Sequence, residues 1–128
     1  MANVLIVDDS KWITKALAQF MESNGHTVVG IGHDGFEGED LYKQLKPDLV
    51  LLDITMPNKD GRDCLDDILK FDPEAKVMIL SAVGNPEIIQ QCRRLGAKAY
   101  VQKPFKFKDE AYCNDFLNKV ENILSGML

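Results

Sequence analysis

Five short apolar runs punctuate the chain, at Val4–Val7, Thr27–Ile31, Leu49–Leu52, Val77–Leu80 and Ala99–Val101, and an amphipathic stretch of helical period follows each of them. Leu49-Val50-Leu51-Leu52 is apolar throughout rather than alternating, as parallel strands covered on both faces are. Parallel neighbours need crossover connections, and right-handed crossovers built from helices give a doubly wound sheet. The expected fold is α/β: a (βα)5 doubly wound, five-stranded parallel sheet with helices on both faces.

The punctuation between the runs agrees. Ser10 is the N-cap expected of the first helix, with Ile13, Ala16, Leu17 and Phe20 on its buried stripe and Asn24-Gly25 at its end. The second helix carries Leu41, Tyr42 and Leu45 and stops before Pro47, although Gly35 and Gly38 weaken its helical pattern. In the third, Cys64, Leu65, Ile68 and Leu69 face inward and Asp72-Pro73 ends it. The fourth is bounded by Asn85 at the N-cap, Pro86 at the first helical position and Gly96 past the end. A fifth is expected from Lys108 to Leu124, with Phe116, Leu117, Val120 and Leu124 on one stripe.

At 128 residues, 45% of them hydrophobic and 27% charged, the chain is expected to fold as one globular domain over residues 1–128 without metal or disulfide support. No apolar run approaches the roughly 18 residues of a membrane span, and Met1-Ala2-Asn3 leads straight into the first strand, so no signal peptide and a cytoplasmic location are expected. The net charge of −5 argues against bulk electrostatic binding of nucleic acid. The charge is unevenly spread: residues 1–75 carry 7 Lys/Arg and 15 Asp/Glu, residues 76–128 carry 8 and 5. Cys64, Cys92 and Cys113 form no metal-binding pair and read as small packing residues in a reducing compartment.

In an open α/β sheet, ligands bind outside the carboxyl ends of the strands. Asp8 and Asp9 follow the first strand, Asp53 the third and Ser81 the fourth, while Lys103 stands just past the fifth. Three carboxylates brought together repel, so a proton or a cation must join them. Oxygen donors without His or Cys suit a hard ion, and Mg²⁺ is held by one or two carboxylates with waters and phosphate oxygens. Lys and Ser are donors for phosphate oxygens, and a spare carboxylate is a nucleophile toward phosphorus. These residues point to phosphoryl transfer onto an aspartate.

The strings Val4-Leu5-Ile6-Val7-Asp8-Asp9-Ser10, Leu51-Leu52-Asp53-Ile54-Thr55-Met56-Pro57, Asp60-Gly61, Ser81-Ala82 and Lys103-Pro104-Phe105 resemble, in order and spacing, those of a response-regulator receiver domain, in particular the single-domain chemotaxis type. The resemblance implies the flavodoxin-like strand order 2-1-3-4-5 and a phosphorelay role rather than a free-standing enzyme. It implies Asp53 as phosphoacceptor and Mg²⁺ as cofactor, bound by Asp9, an Asp53 oxygen and the carbonyl of Thr55, with Asp8 acting through water. It implies further that Lys103, Ser81 and Ala82 serve the phosphoryl group and that Ser81 and Tyr100 form the switch, although Tyr100 also reads as an ordinary half-buried strand aromatic. Thr55 and Val83 hold the two positions that tune phosphoryl lifetime in this family, and neither is an acid, an amide or a base. The implied partners are a sensor histidine kinase or phosphotransfer protein upstream and a motor switch or relay protein downstream, bound by a monomer. No output domain is expected after Leu124.

Other residues read more plainly. The Lys103-Pro104 bond is expected to be cis, aiming the ammonium into the pocket. Trp12 covers the first helical turn; His26 and His33 read as solvated loop residues; Met56 and Met78 read as packing. Arg93, Arg94 and Lys98 form either a docking surface or a solvated face. Three rival readings are a haloacid-dehalogenase-type phosphatase, a flavodoxin-type electron carrier and a scaffold that is never phosphorylated. Asp53-Ile54-Thr55 lacks the second acid of the first, Asp8-Asp9-Ser10 would repel the FMN phosphate of the second, and the complete acceptor set argues against the third.

Overall fold

The computed structural model describes residues 1–126, in which strands and helices alternate. They are β1 (Asn3–Val7), α1 (Lys11–Ser23), β2 (Thr27–Gly32), α2 (Gly35–Leu45), β3 (Leu49–Leu52), α3 (Gly61–Phe71), β4 (Val77–Ser81), α4 (Pro86–Leu95), β5 (Ala99–Gln102) and α5 (Glu110–Ser125). All strand pairs are parallel and the order across the sheet is β2-β1-β3-β4-β5, as expected.

The two-residue period of the strands divides the core into two layers. Val4, Ile6, Leu49, Leu51, Met78 and Leu80 face α1 and α5, meeting Leu17, Met21, Phe116, Val120 and Ile123. Leu5, Val7, Val50, Leu52, Val77 and Ile79 face the other helices, meeting Tyr42 of α2, Cys64, Leu65 and Ile68 of α3 and Cys92 of α4. Each such fully buried side chain contributes roughly 1.5–3 kcal/mol. Met56 and Met78 pack in these layers, and all three cysteines are buried free thiols.

Two buried stripes differ from expectation by a rotation of the helix. In α1 the buried residues are Thr14, Leu17 and Met21, while Ile13, Ala16 and Phe20 are half-buried. In α5 they are Cys113, Phe116, Val120 and Ile123, with Leu117 and Leu124 half-buried. That helix begins at Glu110 rather than Lys108, because the Asp109 side chain accepts from Tyr112 N and caps it. Ser10, Asp34, Asp60 and Asn85 cap the other four helices in the same way.

Two glycines let the elements close on the carboxyl edge of the sheet. A Cβ on Gly38 would stand 2.9 Å from Val7 Cγ1 and 3.1 Å from Cys64 Sγ, so α2 lies close over β1 only because that atom is missing. A Cβ on Gly61 would stand 2.1 Å from the Asp53 carbonyl oxygen; instead Gly61 N donates to Ile54 O at 2.7 Å and draws the start of α3 against the end of β3. The crossovers from β1 and β3 leave toward opposite faces, which opens a crevice between the ends of these two neighbouring strands.

Candidate functional site

The residues that follow β1 and β3 at this crevice are acidic, and the backbone sets them in place. Asp53 N donates to Val7 O at 2.9 Å and Asp8 N to Gly32 O at 2.9 Å, continuing the ladder one step beyond the strands. Ser10 N donates to Asp8 Oδ1 at 2.9 Å, and Ile54 N to Asp53 Oδ1 at 2.8 Å. Asp8 and Asp53 are buried, Asp53 at 6% exposure, and Asp9 is exposed at the rim. One carboxylate oxygen from each of the three lies within 4.8 Å of the other two.

Lys103 enters the same crevice from the far edge of the sheet. Its Nζ donates to Asp8 Oδ2 at 2.5 Å and stands 3.6 Å from Asp53 Oδ2. Its backbone N donates to Ser81 O at 2.9 Å, and the Lys103-Pro104 peptide is cis, as expected. Burial pushes the Asp53 carboxyl above its ordinary value; the charge of Asp8 adds to the rise, while Lys103, Ser81 and the Ile54 amide oppose it. The buried Asp8 and Asp53 thus share the Lys103 ammonium, while the Asp9 carboxylate makes no ion pair among the described residues. An all-oxygen, net negative cluster of this kind is suited to a hard divalent cation, which would relieve the repulsion.

The remaining predicted residues stand around this centre. Ser81 is fully buried and its Oγ accepts from Val83 N at 3.3 Å. The Tyr100 hydroxyl donates to Val83 O, and the ring is half-buried, which raises its pKa. Ser81, Val83 and Tyr100 therefore form one hydrogen-bonded chain leading away from Asp53. Thr55 and Ala82 are exposed.

Both histidines differ from expectation. His26 is buried, its Nδ1 accepting from Ala2 N at 3.2 Å, so it closes the amino-terminal end of the sheet rather than sitting in solvent. His33 is half-buried and its Nδ1 donates to Asp8 O at 2.9 Å, directly behind the acidic centre. Each bond joins residues 24 or 25 positions apart, and no local sequence signal announces it. Trp12 is 69% exposed, with its ring edge-on to Phe107 at 6.3 Å. It lines a groove of about 1000 Å³ with Ala16, Phe20 and Lys106, and Asp8, Asp9 and Asp53 do not line that groove.

The profile of the response regulator receiver domain matches residues 4–111. The chain is 43% identical over 106 residues to Protein CcdB of Bacillus subtilis, covering 83% of this chain and 88% of that protein. It is 45% identical over 107 residues to Chemotaxis protein CheY of Treponema pallidum, covering 82% and 74% respectively. A CheX-CheY-BeF3-Mg complex from Borrelia burgdorferi is similar in structure, with a TM-score of 0.87 and 37% identity over 94% of this chain and 87% of the matched one. The acidic crevice, the strand order and these likenesses agree: the chain belongs to the response regulator receiver domain family.

Proposed function

We propose that this chain is a stand-alone response regulator spanning residues 1–128, phosphorylated on Asp53 in a Mg²⁺-dependent reaction and signalling in a chemotaxis-type two-component system. The observation that carries the reading is the burial of Asp53 beside Asp8, Asp9 and Lys103. Asp9, an Asp53 oxygen and the Thr55 carbonyl would hold the cation, with Asp8 acting through a water. Bound there, Mg²⁺ supplies charge neutralisation for the phosphoryl oxygens and the carboxylates.

An Asp53 oxygen attacks the phosphorus of a phosphohistidine on a sensor kinase or phosphotransfer protein. The new bond is O–P, the broken one is P–N, and the electron pair leaves with the donor imidazole. Ile54 N–H holds the carboxylate in orientation, and Lys103 shifts from Asp8 to a phosphoryl oxygen, with the Ser81 hydroxyl and the Ala82 backbone on others. The cluster is preorganised for a dianion because Lys103 already lies within reach of Asp53.

The downstream partner is a protein such as a motor switch or relay component, met by the face of α4, β5 and α5. The Borrelia neighbour is in complex with CheX, BeF3 and Mg, which supports a protein partner for this chain. No helix among the described residues is long and apolar enough to cross a membrane. A haloacid-dehalogenase-type phosphatase has no support here, since Thr55 supplies no second acid.

Incubation with Mg²⁺ and acetyl phosphate tests the reading. The protein gains one acid-labile phosphoryl group, seen as a mass increase, and Asp53→Asn abolishes it. Label retained at another carboxylate of Asp53→Asn would overturn the assignment.

A further inference from the structure

We propose that His33 positions the cation-binding carboxylates: its imidazole Nδ1–H, held on the carbonyl of Asp8, fixes the Asp8–Asp9 peptide and with it the Asp9 carboxylate. The inference rests on the reading of Asp8, Asp9 and Asp53 as a Mg²⁺ site.

β1 and β2 pair as far as Val7 and Gly32, and Asp8 N still donates to Gly32 O at 2.9 Å. In a parallel ladder the next bond, onto Asp8 O, would come from a backbone amide further along β2. The chain has turned away by then, since His33 N donates to Glu37 Oε1 at 2.9 Å at the start of α2. The ring of His33 supplies the missing donor, with Nδ1 2.9 Å from Asp8 O. A carbonyl only accepts, so Nδ1 carries the proton.

The two acids of this turn are restrained very differently. The Asp8 carboxylate is held by Ser10 N at 2.9 Å and by Lys103 Nζ at 2.5 Å. Among the described residues, no hydrogen bond or ion pair holds the exposed carboxylate of Asp9. The only restraint on where it can reach comes from the position of its backbone. The Asp8 carbonyl, the Asp9 N–H and the Asp9 Cα lie in one rigid peptide plane, so a hydrogen bond that pins the carbonyl also fixes where the Asp9 Cα sits and the axis from which its side chain departs. Groups behind a ligand that orient it typically change metal affinity about 10-fold or more when lost.

Calorimetric titration of Mg²⁺ into the native chain, His33→Leu, His33→Asn and Asp9→Asn tests this, with a melting temperature for each. His33→Leu is expected to bind Mg²⁺ about fivefold more weakly or worse. His33→Asn, whose amide N–H can stand where Nδ1 stands, is expected to recover binding to within about twofold of native. A role in packing alone would weaken both variants alike. Native-like affinity in His33→Leu, or Asn no better than Leu, would overturn the inference and leave the Mg²⁺ site intact. Absence of Mg²⁺ binding by the native chain, or native-like binding by Asp9→Asn, would overturn the site reading and this inference together.

Discussion

Hydrolysis of an acyl phosphate on Asp53 needs a water in line with the bond to the leaving carboxylate oxygen, and side chains that orient such a water typically accelerate it by about 100-fold or more. Thr55 brings one short hydroxyl. Val83 brings none, and its backbone is already engaged, N–H on Ser81 Oγ and carbonyl on Tyr100. The phosphorylated state is therefore expected to last minutes or longer without a separate phosphatase, and Val83→Glu or Thr55→Asn to shorten it by about tenfold or more. Decay of phosphoprotein after donor removal measures this, and a native half-life of seconds unaltered by either change would refute it. At this scale the sequence was legible where chemistry sits at a strand end. Asp8, Asp9, Asp53 and Lys103 follow or adjoin the strands, and parallel strands must bring their ends together. It was not legible at His26 and His33, whose rings replace backbone partners on distant segments. No window of local sequence holds both members of either pair.

Elements gather these residues through contacts that a side chain would spoil. The closeness of Gly61 to the Asp53 carbonyl predicts that Gly61→Ala lowers stability by about 2 kcal/mol and slows phosphorylation, because the added Cβ must push the end of β3 from the start of α3. Thermal unfolding and the acetyl phosphate rate read the two effects, and a variant with native values of both would refute the argument. The loop between β3 and α3 is also strapped to α2. Gly35 N donates to Lys59 O at 2.9 Å, and Lys59 Nζ pairs with Glu39 at 2.6 Å and with Asp67 of α3. Lys43 and Lys59 hold the Glu39 carboxyl down to about 2. A lowered folded-state pKa means that this stabilisation is fully present above the ordinary carboxyl value and is lost as pH falls toward about 2. Glu39→Gln is expected to cost about 1 kcal/mol at neutral pH, after screening, and to flatten the acid limb of the stability curve below about pH 4.5. An unchanged acid limb would show that the strap carries no such linkage. Element order and type were readable because hydrophobic period and helix caps are local. The rotation of α1 and α5 was not, since it is set by how each helix seats on a twisted sheet rather than by its own composition.

Over the whole molecule, the strand order turns an asymmetry of sequence into one of space. Acidic residues 1–75 build β2, β1 and β3 with their helices, while residues 76–128, with 8 Lys/Arg against 5 Asp/Glu, build the edge of β4 and β5. Arg93, Arg94 and Lys98 are exposed there, which suits an acidic partner site and predicts binding that weakens with salt. This edge is joined to Ser81, at the end of β4, by the bonds from Val83 N to Ser81 Oγ and from the Tyr100 hydroxyl to Val83 O. On the proposed reading, a phosphoryl group that takes the Ser81 hydroxyl would draw it away from Val83, loosen the loop that Tyr100 grips and free the ring to move. On that reading the Tyr100 hydroxyl, bonded to Val83 O, would act without phosphate as a latch on the resting face. Tyr100→Phe removes the latch while keeping the ring. One hydrogen bond of about 1 kcal/mol is worth about fivefold in such an equilibrium. The unmodified variant should bind the output partner about fivefold more tightly than the unmodified native protein, and gain correspondingly less on addition of beryllofluoride. A partner captured with the beryllofluoride form makes both affinities measurable. An equal gain in native and Tyr100→Phe would show that the signal leaves Asp53 by another route.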